Sequence, residues 1–250
     1  MNPIELSICV LHFNRWDLTK DCLASIDAQE IPCSHEKILV DNGSTADRYH
    51  GVSGDWRLVR YEENRGHIVG QNRCFASAQG EWVLFVANDV RLMPGCIQTL
   101  WMCLRPRIIK FPSLYTLNRQ PDNRGMQWIW PGYGVSNWHE WEPFGFNGSC
   151  YLMEKREWEK AGRFDEQLVT SHEDIDLSLR LRQLGVEMYA CMNNAVALHL
   201  GNATLRHQPS HNRAAFHRDR LYVLRKHYRG LDYWTRYVAV QLLDHLPRFS

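Results

Sequence analysis

At 250 residues the chain is long enough to bury a core of its own, so it needs neither disulfides nor a structural metal to fold. Its 44% hydrophobic and 23% charged residues sit near the globular average, which excludes a disordered, collagen-like or coiled-coil chain. A formal net charge of +1 sets up no global field for nucleic acid or membrane, and no apolar run approaches the ~20 residues that span a bilayer.

The opening Met1-Asn2-Pro3-Ile4-Glu5 lacks the basic and long apolar regions of a secretory signal, so a cytoplasmic protein is expected. The strand-like run Leu6 to Leu11 is followed by Trp16, Leu18, Cys22, Leu23 and Ile26 at helical spacing. Lys37 to Val40 reads as a second strand closed by Asp41-Asn42-Gly43-Ser44, and Trp56 to Tyr61 as a third. A small-residue helix is expected over His67 to Gln79, then a near-continuous apolar strand over Trp82 to Ala87. Strand and helix alternating in this way predict a doubly wound, mostly parallel α/β sheet whose ligands bind beyond the carboxyl ends of the strands.

Residues 105 to 145 lose the rhythm and read as a long irregular insertion, rich in Pro, Gly, Asn and Trp. Four of the chain's ten Trp crowd there, Trp128, Trp130, Trp138 and Trp141. Regularity returns with a strand over Gly148 to Met153, a helix near Lys155 to Ala161, and a helix over His172 to Leu184 with Ser171 as N-cap and Gly185 as terminator. From Leu205 onward nine Lys and Arg stand against three Asp on a partly amphipathic helical stretch, which is either a solvated face packed on the domain or a contact for an anionic membrane. The eight Cys are scattered, with no metal-binding spacing.

Several polar features fall directly after the apolar runs: Asp41, Asp89, Glu173-Asp174 and His199. Singly they read as a turn, a loop cap, a capping box and a core histidine. In order and in context they are similar to the family-2 glycosyltransferases of GT-A fold. Val40-Asp41-Asn42-Gly43-Ser44-Thr45, then Asn64-Arg65-Gly66 with Gln71-Asn72-Arg73 and Gly80 to Phe85, resemble that family's nucleotide-binding segments. Phe146-Asn147-Gly148-Ser149, His172-Glu173-Asp174 and Ala197 to Thr204 resemble its acceptor-side glycine segment, its ED motif and its late histidine element. The subgroup most resembled is the rhamnosyltransferase-like one that builds bacterial surface polysaccharide.

The resemblance implies one GT-A catalytic domain over 1–204, with a Rossmann-like nucleotide-sugar half at 1–104 and an acceptor half at 105–204, followed by a basic helical extension at 205–250. It implies inverting transfer from a nucleotide-diphosphate sugar, UDP- or dTDP-linked rather than GDP-linked, to a hydroxyl of a glycan or lipid-linked glycan. Asp174 is the implied base, with Glu173 beside it. Asp89 is the implied ligand of Mn²⁺ or Mg²⁺, because hard cations favour carboxylate oxygen, and His199 serves either the metal or a phosphate. Asp41, Asn64, Arg65 and Asn72 fall to the nucleotide. Where the family often has Asp at the first position of DxD, this chain has Ala87-Asn88-Asp89, with Ala87 at that position, and the resemblance leaves Asn88 as the substitute for ribose recognition. Trp128, Trp130, Trp138, Trp141, Phe146, Asn147 and Gly148 fall to the acceptor, since indole faces stack on pyranose rings. The competing readings are a sugar nucleotidyltransferase, for which the first strand lacks a glycine-rich basic loop, and a non-catalytic carbohydrate- or nucleic-acid-binding protein, which leaves the ordered carboxylates unexplained.

Overall fold

The computed structural model describes residues 3–45, 52, 54–102, 104–122, 125–127, 134–135, 143–200 and 211–245. β1 (Leu6–His12) is buried at every position. Its side chains alternate with period two: Cys9 and Leu11 enter one apolar layer with Phe75, Tyr151 and Trp158, whereas Ile8 and Val10 enter another with Cys22, Ile26 and Ile97. A strand covered on both faces in this way belongs at the centre of a sheet.

Around β1 the chain lays down α1 (Trp16–Asp27), β2 (His35–Asp41), β3 (Trp56–Arg60), α2 (His67–Ser77), β4 (Trp82–Ala87), β5 (Val90–Leu92) and α3 (Cys96–Trp101). It continues with β6 (Ile108–Tyr115), the short β7 (Met126–Gln127) and β8 (Gly134–Val135), β9 (Cys150–Glu154), α4 (Lys155–Lys160), α5 (Glu173–Gln183), β10 (Glu187–His199), α6 (His211–His227) and α7 (Gly230–His245). The main sheet has the order β3-β2-β1-β4-β9-β6-β10-β5, and β7 pairs β8 separately.

The pairings set β3, β2, β1, β4, β6 and β10 running one way, with β9 and β5 opposed. The carboxyl ends of the parallel strands therefore share one sheet edge, where Asp41, Asn88-Asp89 and His199 follow or end β2, β4 and β10. Because β9 is reversed, the turn that enters it, Asn147-Gly148-Ser149, arrives at that same edge.

Residues 105 to 145 are not irregular throughout. Ile108 to Leu114 are buried, and β6 is a central strand paired with both β9 and β10. Lys110 and Pro112 disguise it in the sequence. Pro112 has no N–H for a ladder, and it lies where the β10 partner shifts register between Cys191 and Val196, while β9 has already left at Lys110. The buried Lys110 ammonium donates to the backbone carbonyls of Thr99 and Met102.

The described part of the basic extension, residues 211–245, forms α6 and α7, and α6 is bonded into the domain. Asp219 is buried, and one of its oxygens accepts the backbone N–H groups of Val169, Thr170 and Ser171 at 2.8–3.2 Å. Tyr222 and Lys226 reach Asp165, and Lys226 and His227 reach Asp176. Burial works to raise the Asp176 carboxyl, but His227, Arg180 and Lys226 outweigh it and hold it at about 2. α6 thus fixes the segment that leads into α5.

Candidate active site

One side of this edge is a set of interlocked turns. Asp41 is fully buried; one oxygen accepts the N–H of Ser44 at 2.9 Å and the other pairs with Arg60 at 2.9 Å. Asn42 donates to Asn64 and to the Gly66 carbonyl, and its own carbonyl accepts from Arg73 at 2.7 Å. Gly43 has φ +78°, and a Cβ there would meet the Glu63 carbonyl carbon at 2.4 Å, so only glycine lets these two turns close on each other. The turn after β1 joins them through left-handed Asn14 and Arg15. The Asn14 N–H donates to Ser44, and its side-chain carbonyl accepts the Thr45 N–H at 3.0 Å.

In the middle of the edge, Asp89 and His199 face each other with Oδ2 and Nε2 3.5 Å apart. The far nitrogen of His199, Nδ1, is bonded at 2.6 Å to Asp122. Burial tends to lower the His199 imidazole, but the two carboxylates prevail and push it up to about 9. Asp89 is raised by burial and lowered more by His199, so it remains below the usual carboxylate range. A carboxylate and an imidazole converging with a second carboxylate behind the ring is a donor set suited to a divalent cation. No three His, Cys, Asp or Glu side chains form a closed cation shell among the described residues. The remaining positions would fall to water and substrate oxygens, as is usual for cations held beside phosphates.

At the catalytic end, α5 begins at Glu173 after His172, whose left-handed φ of 71° makes the turn. Ser171 does not cap the helix as its sequence position suggested; its hydroxyl bonds the His172 ring at 2.6 Å instead. Glu173 is buried and accepts from Gln71 at 3.1 Å, and Gln71 in turn accepts the Tyr151 hydroxyl at 2.7 Å. The half-buried Asp174 accepts the N–H groups of Gly148 and Ile175. A Cβ on Gly148 would stand 3.0 Å from the Asp174 carboxylate, so the glycine lets the backbone reach it. Burial raises both carboxyls, and the Glu173 charge raises Asp174 further. His67 is 3.6 Å from Glu173, and burial lowers its imidazole against the opposing pull of the Asp89 and Asp174 charges.

The structure brings Asp41, Asn64, Asn88, Asp89, Asn147, Gly148, Glu173, Asp174 and His199 to one edge, with differing roles. Asn64 braces Asn42, and Asn88 is bonded to Thr19. Arg65 is exposed and paired with Glu63. Asn147 is buried, its side-chain carbonyl accepting the Ser149 N–H while its amide nitrogen has no partner among the described residues. Two expectations are corrected. Asn72 bonds the backbone of Phe164 in both directions and Glu166 besides, because its side chain leaves α2 toward the 164–166 loop. Phe146 is fully buried, 4.7 Å from the Tyr151 ring, and supports the Gly148 turn from the core without presenting a face to a sugar. Trp128, Trp130, Trp138 and Trp141 lie outside the described residues. Sequence reasoning missed His67, Gln71, Asp122 and Asp219. Gln71 is the neighbour of Asn72 in the Gln71-Asn72-Arg73 segment, and Asp219 is the lone acid of a basic helix.

An α/β sheet with this strand order and mixed parallel–antiparallel pairing defines a GT-A-type fold. Residues 7–142 match the model of "Glycosyl transferase family 2", and the chain belongs to that family. It is 35% identical over 107 residues to an uncharacterized protein of Mycobacterium tuberculosis, covering 40% of this chain and 33% of that one. The chain thus spans only a third of that relative. It is 28% identical over 272 aligned positions to the N-acetylglucosaminyl-diphospho-decaprenol L-rhamnosyltransferase of the same organism, covering 90% of this chain and 86% of the relative. Among solved structures, GalNAc-T7 with UDP, GalNAc and Mn²⁺ shares the fold at a TM-score of 0.66 and 14% identity, over 79% of this chain and 44% of that one.

Proposed function

We propose that the chain is an inverting glycosyltransferase that moves a deoxyhexose or hexose from a UDP- or dTDP-sugar to a hydroxyl of a lipid-linked glycan in bacterial surface polysaccharide synthesis. The observation that carries the reading is the Asp174 carboxylate, held by the Gly148 N–H on the same sheet edge as the facing pair Asp89 and His199. The similarity to a rhamnosyltransferase acting on a decaprenol-linked sugar supports the choice of acceptor.

The turns braced by Asp41, Asn42, Asn64, Arg65 and Asn88 hold the nucleotide. Asp89 and His199 Nε2 would hold a Mn²⁺ or Mg²⁺, the ring releasing its Nε2 proton as the ion binds, with Asp122 orienting the imidazole through Nδ1. When bound, that ion neutralises the diphosphate that leaves as the anomeric bond breaks. Asp174 takes the proton of the acceptor hydroxyl onto a carboxylate oxygen while that hydroxyl oxygen bonds the anomeric carbon from the opposite face, which inverts the centre. A base with a raised pKa accepts the proton more readily, and such catalysis contributes ~10²- to 10⁴-fold. Glu173, tethered by Gln71 and Tyr151, keeps Asp174 basic through its charge. The Trp-rich insertion grips the acceptor, and peripheral contact with an anionic membrane brings enzyme and lipid-linked acceptor together on the cytoplasmic side.

A thermal-shift panel of UDP, dTDP, GDP and CMP with and without Mn²⁺ tests the donor half, since a ligand at a hundredfold excess over Kd stabilises by ~2.7 kcal/mol. Stabilisation by UDP or dTDP that needs Mn²⁺ is expected, together with slow hydrolysis of the matching sugar nucleotide. No nucleotide response and no transfer to a polyprenyl-diphosphate sugar would overturn the reading.

A further inference from the structure

Four large apolar side chains of α7 stand in solvent: Leu231 is 80% exposed, Trp234 59%, Val238 51% and Leu242 64%. Spaced i, i+3, i+7 and i+11, they form one stripe along the helix. On the opposite side Val240 and Arg236 are buried, and Asp232 pairs with Arg236 at 2.7 Å. The helix is therefore anchored on α6 by one face while the other is left apolar. Tyr233, Trp234 and Tyr237 cluster with ring centroids 5.2–5.9 Å apart, adding amphipathic rings at the edge of the stripe.

Charge distinguishes the occupants this stripe fits. Arg218, Lys226 and Arg236 of the extension are held by Asp219, Asp165, Asp176 and Asp232 within the protein, so much of the extension's formal charge serves the fold. Arg225 and Arg229 are different. Both are exposed at the corner between α6 and α7, next to Leu231, and neither has a carboxylate within ion-pair distance among the described residues. The Arg229 guanidinium rests on the carbonyls of Arg225 and Tyr228. A stripe on a helix of 16 residues is ~24 Å long. At a width of ~10 Å it offers roughly 240 Å², well short of the ~800 Å² per partner of a standard protein interface. An apolar face with flanking arginines and aromatic rings is, by contrast, sufficient for a helix that lies in a lipid surface.

We propose that α7 is the membrane-docking element of this protein, lying in the plane of an anionic lipid surface with Leu231, Trp234, Val238 and Leu242 below the headgroups and Arg225 and Arg229 on the lipid phosphates. No helix among the described residues is long and apolar enough to cross a membrane, which agrees with an in-plane helix. The inference deepens the reading of a lipid-carried acceptor by assigning the surface that meets the lipid, and it accounts for membrane contact by an apolar face with two arginines, where the bulk charge of the extension had been the only apparent cause.

The test is co-sedimentation of the full chain with phosphatidylglycerol–phosphatidylcholine vesicles and with pure phosphatidylcholine, at low and at high salt, without donor or acceptor. Wild type binds the anionic vesicles. Trp234→Ser combined with Val238→Ser lowers binding about tenfold at both salt concentrations, because apolar insertion is not screened. Arg225→Glu combined with Arg229→Glu lowers it about tenfold at low salt, and the difference from wild type fades at high salt. All four positions are exposed, so thermal midpoints stay at the wild-type value; Leu231→Ser alone serves as a third, milder variant if the double stripe variant does not fold. Binding that is absent in wild type, or that the stripe variant leaves intact, overturns the proposal. So does a wild-type dimer that the stripe variant turns into monomer without changing vesicle binding, since the face would then be covered by a second copy. Transfer to a soluble acceptor analogue is measured in parallel, and its loss or survival bears on the transferase reading alone.

Discussion

On the donor side of the cleft each buried polar group is answered by an opposite one: Asp41 by Arg60, and Asn42 by Asn64 and Arg73. On the catalytic side two carboxylates stand next to each other in the chain, bonded to backbone N–H groups and to the neutral amide of Gln71. The first arrangement is a preformed cradle whose pairings keep it rigid. The second holds charge that its surroundings disfavour, which suits the proton acceptor proposed there. On the proposed function, rigidity and reactivity are allotted to different halves of one sheet edge, and that contrast can be broken at either end.

The largest effect is expected at the base. Asp174→Asn should lower kcat by ~10²- to 10⁴-fold while nucleotide affinity, read by thermal shift, stays near wild type. The sign of its stability effect is equally diagnostic. A carboxyl raised by folding binds its proton more tightly in the folded than in the unfolded state, so the folded protein loses stability as pH rises from the unfolded value, ~3.9, through the raised one. Asp174→Asn should therefore melt at or above the wild-type temperature at pH 8, with the gain vanishing below pH 4. Transfer above a tenth of the wild-type rate would remove Asp174 as base.

Next comes the cradle. Gly43→Ala forces a Cβ into the Glu63 backbone at a positive φ and should cost about 2–3 kcal/mol in urea unfolding, with nucleotide binding lost alongside. A variant as stable as wild type would show that the two turns do not close as described.

Asp219→Ala should cost about 2 kcal/mol by removing a carboxylate that accepts three backbone N–H groups. Burial raises the Asp219 carboxyl, but bonds from Thr170, Arg218 and Val169 lower it more. Its contribution is thus present above the unfolded pKa and is lost as pH falls through the lower folded value. Because the clamp sets the approach to α5, kcat should fall while donor KM changes little; a shift in KM alone would place Asp219 elsewhere in the cycle.

The smallest effect is expected at the cation pair. Asp89→Ala should weaken donor binding about tenfold with Mn²⁺ present and scarcely at all in EDTA, with Asp122→Asn following the same pattern. Equal losses in both conditions would argue against Asp89 as a ligand.

Local chemistry made much of this site readable. Asp41-Asn42-Gly43, Asp89, Glu173-Asp174 and His199 all follow an apolar run or open a helix, and strand ends are where an α/β sheet gathers its ligands. β6 was hidden because Pro112 breaks the strand pattern, and only the register shift of β10 shows how the sheet absorbs it. Asn72 and Gln71 are adjacent in the chain yet leave α2 on different sides, and nothing in their spacing says which meets Glu173.

By itself the sequence determined the parallel strands, since buried apolar runs admit few other packings, and the order of the carboxylates along them. Direction was decided only in three dimensions. The reversed β9 brings Gly148 onto Asp174, and the end of β10 sets His199 between Asp89 and Asp122. α6 reaches back some fifty residues to hold the segment before α5, with Asp219 bonded to the N–H groups of Val169, Thr170 and Ser171. Each of these contacts joins segments remote in the chain, and their energies depend on burial and distance, which periodicity and composition do not encode.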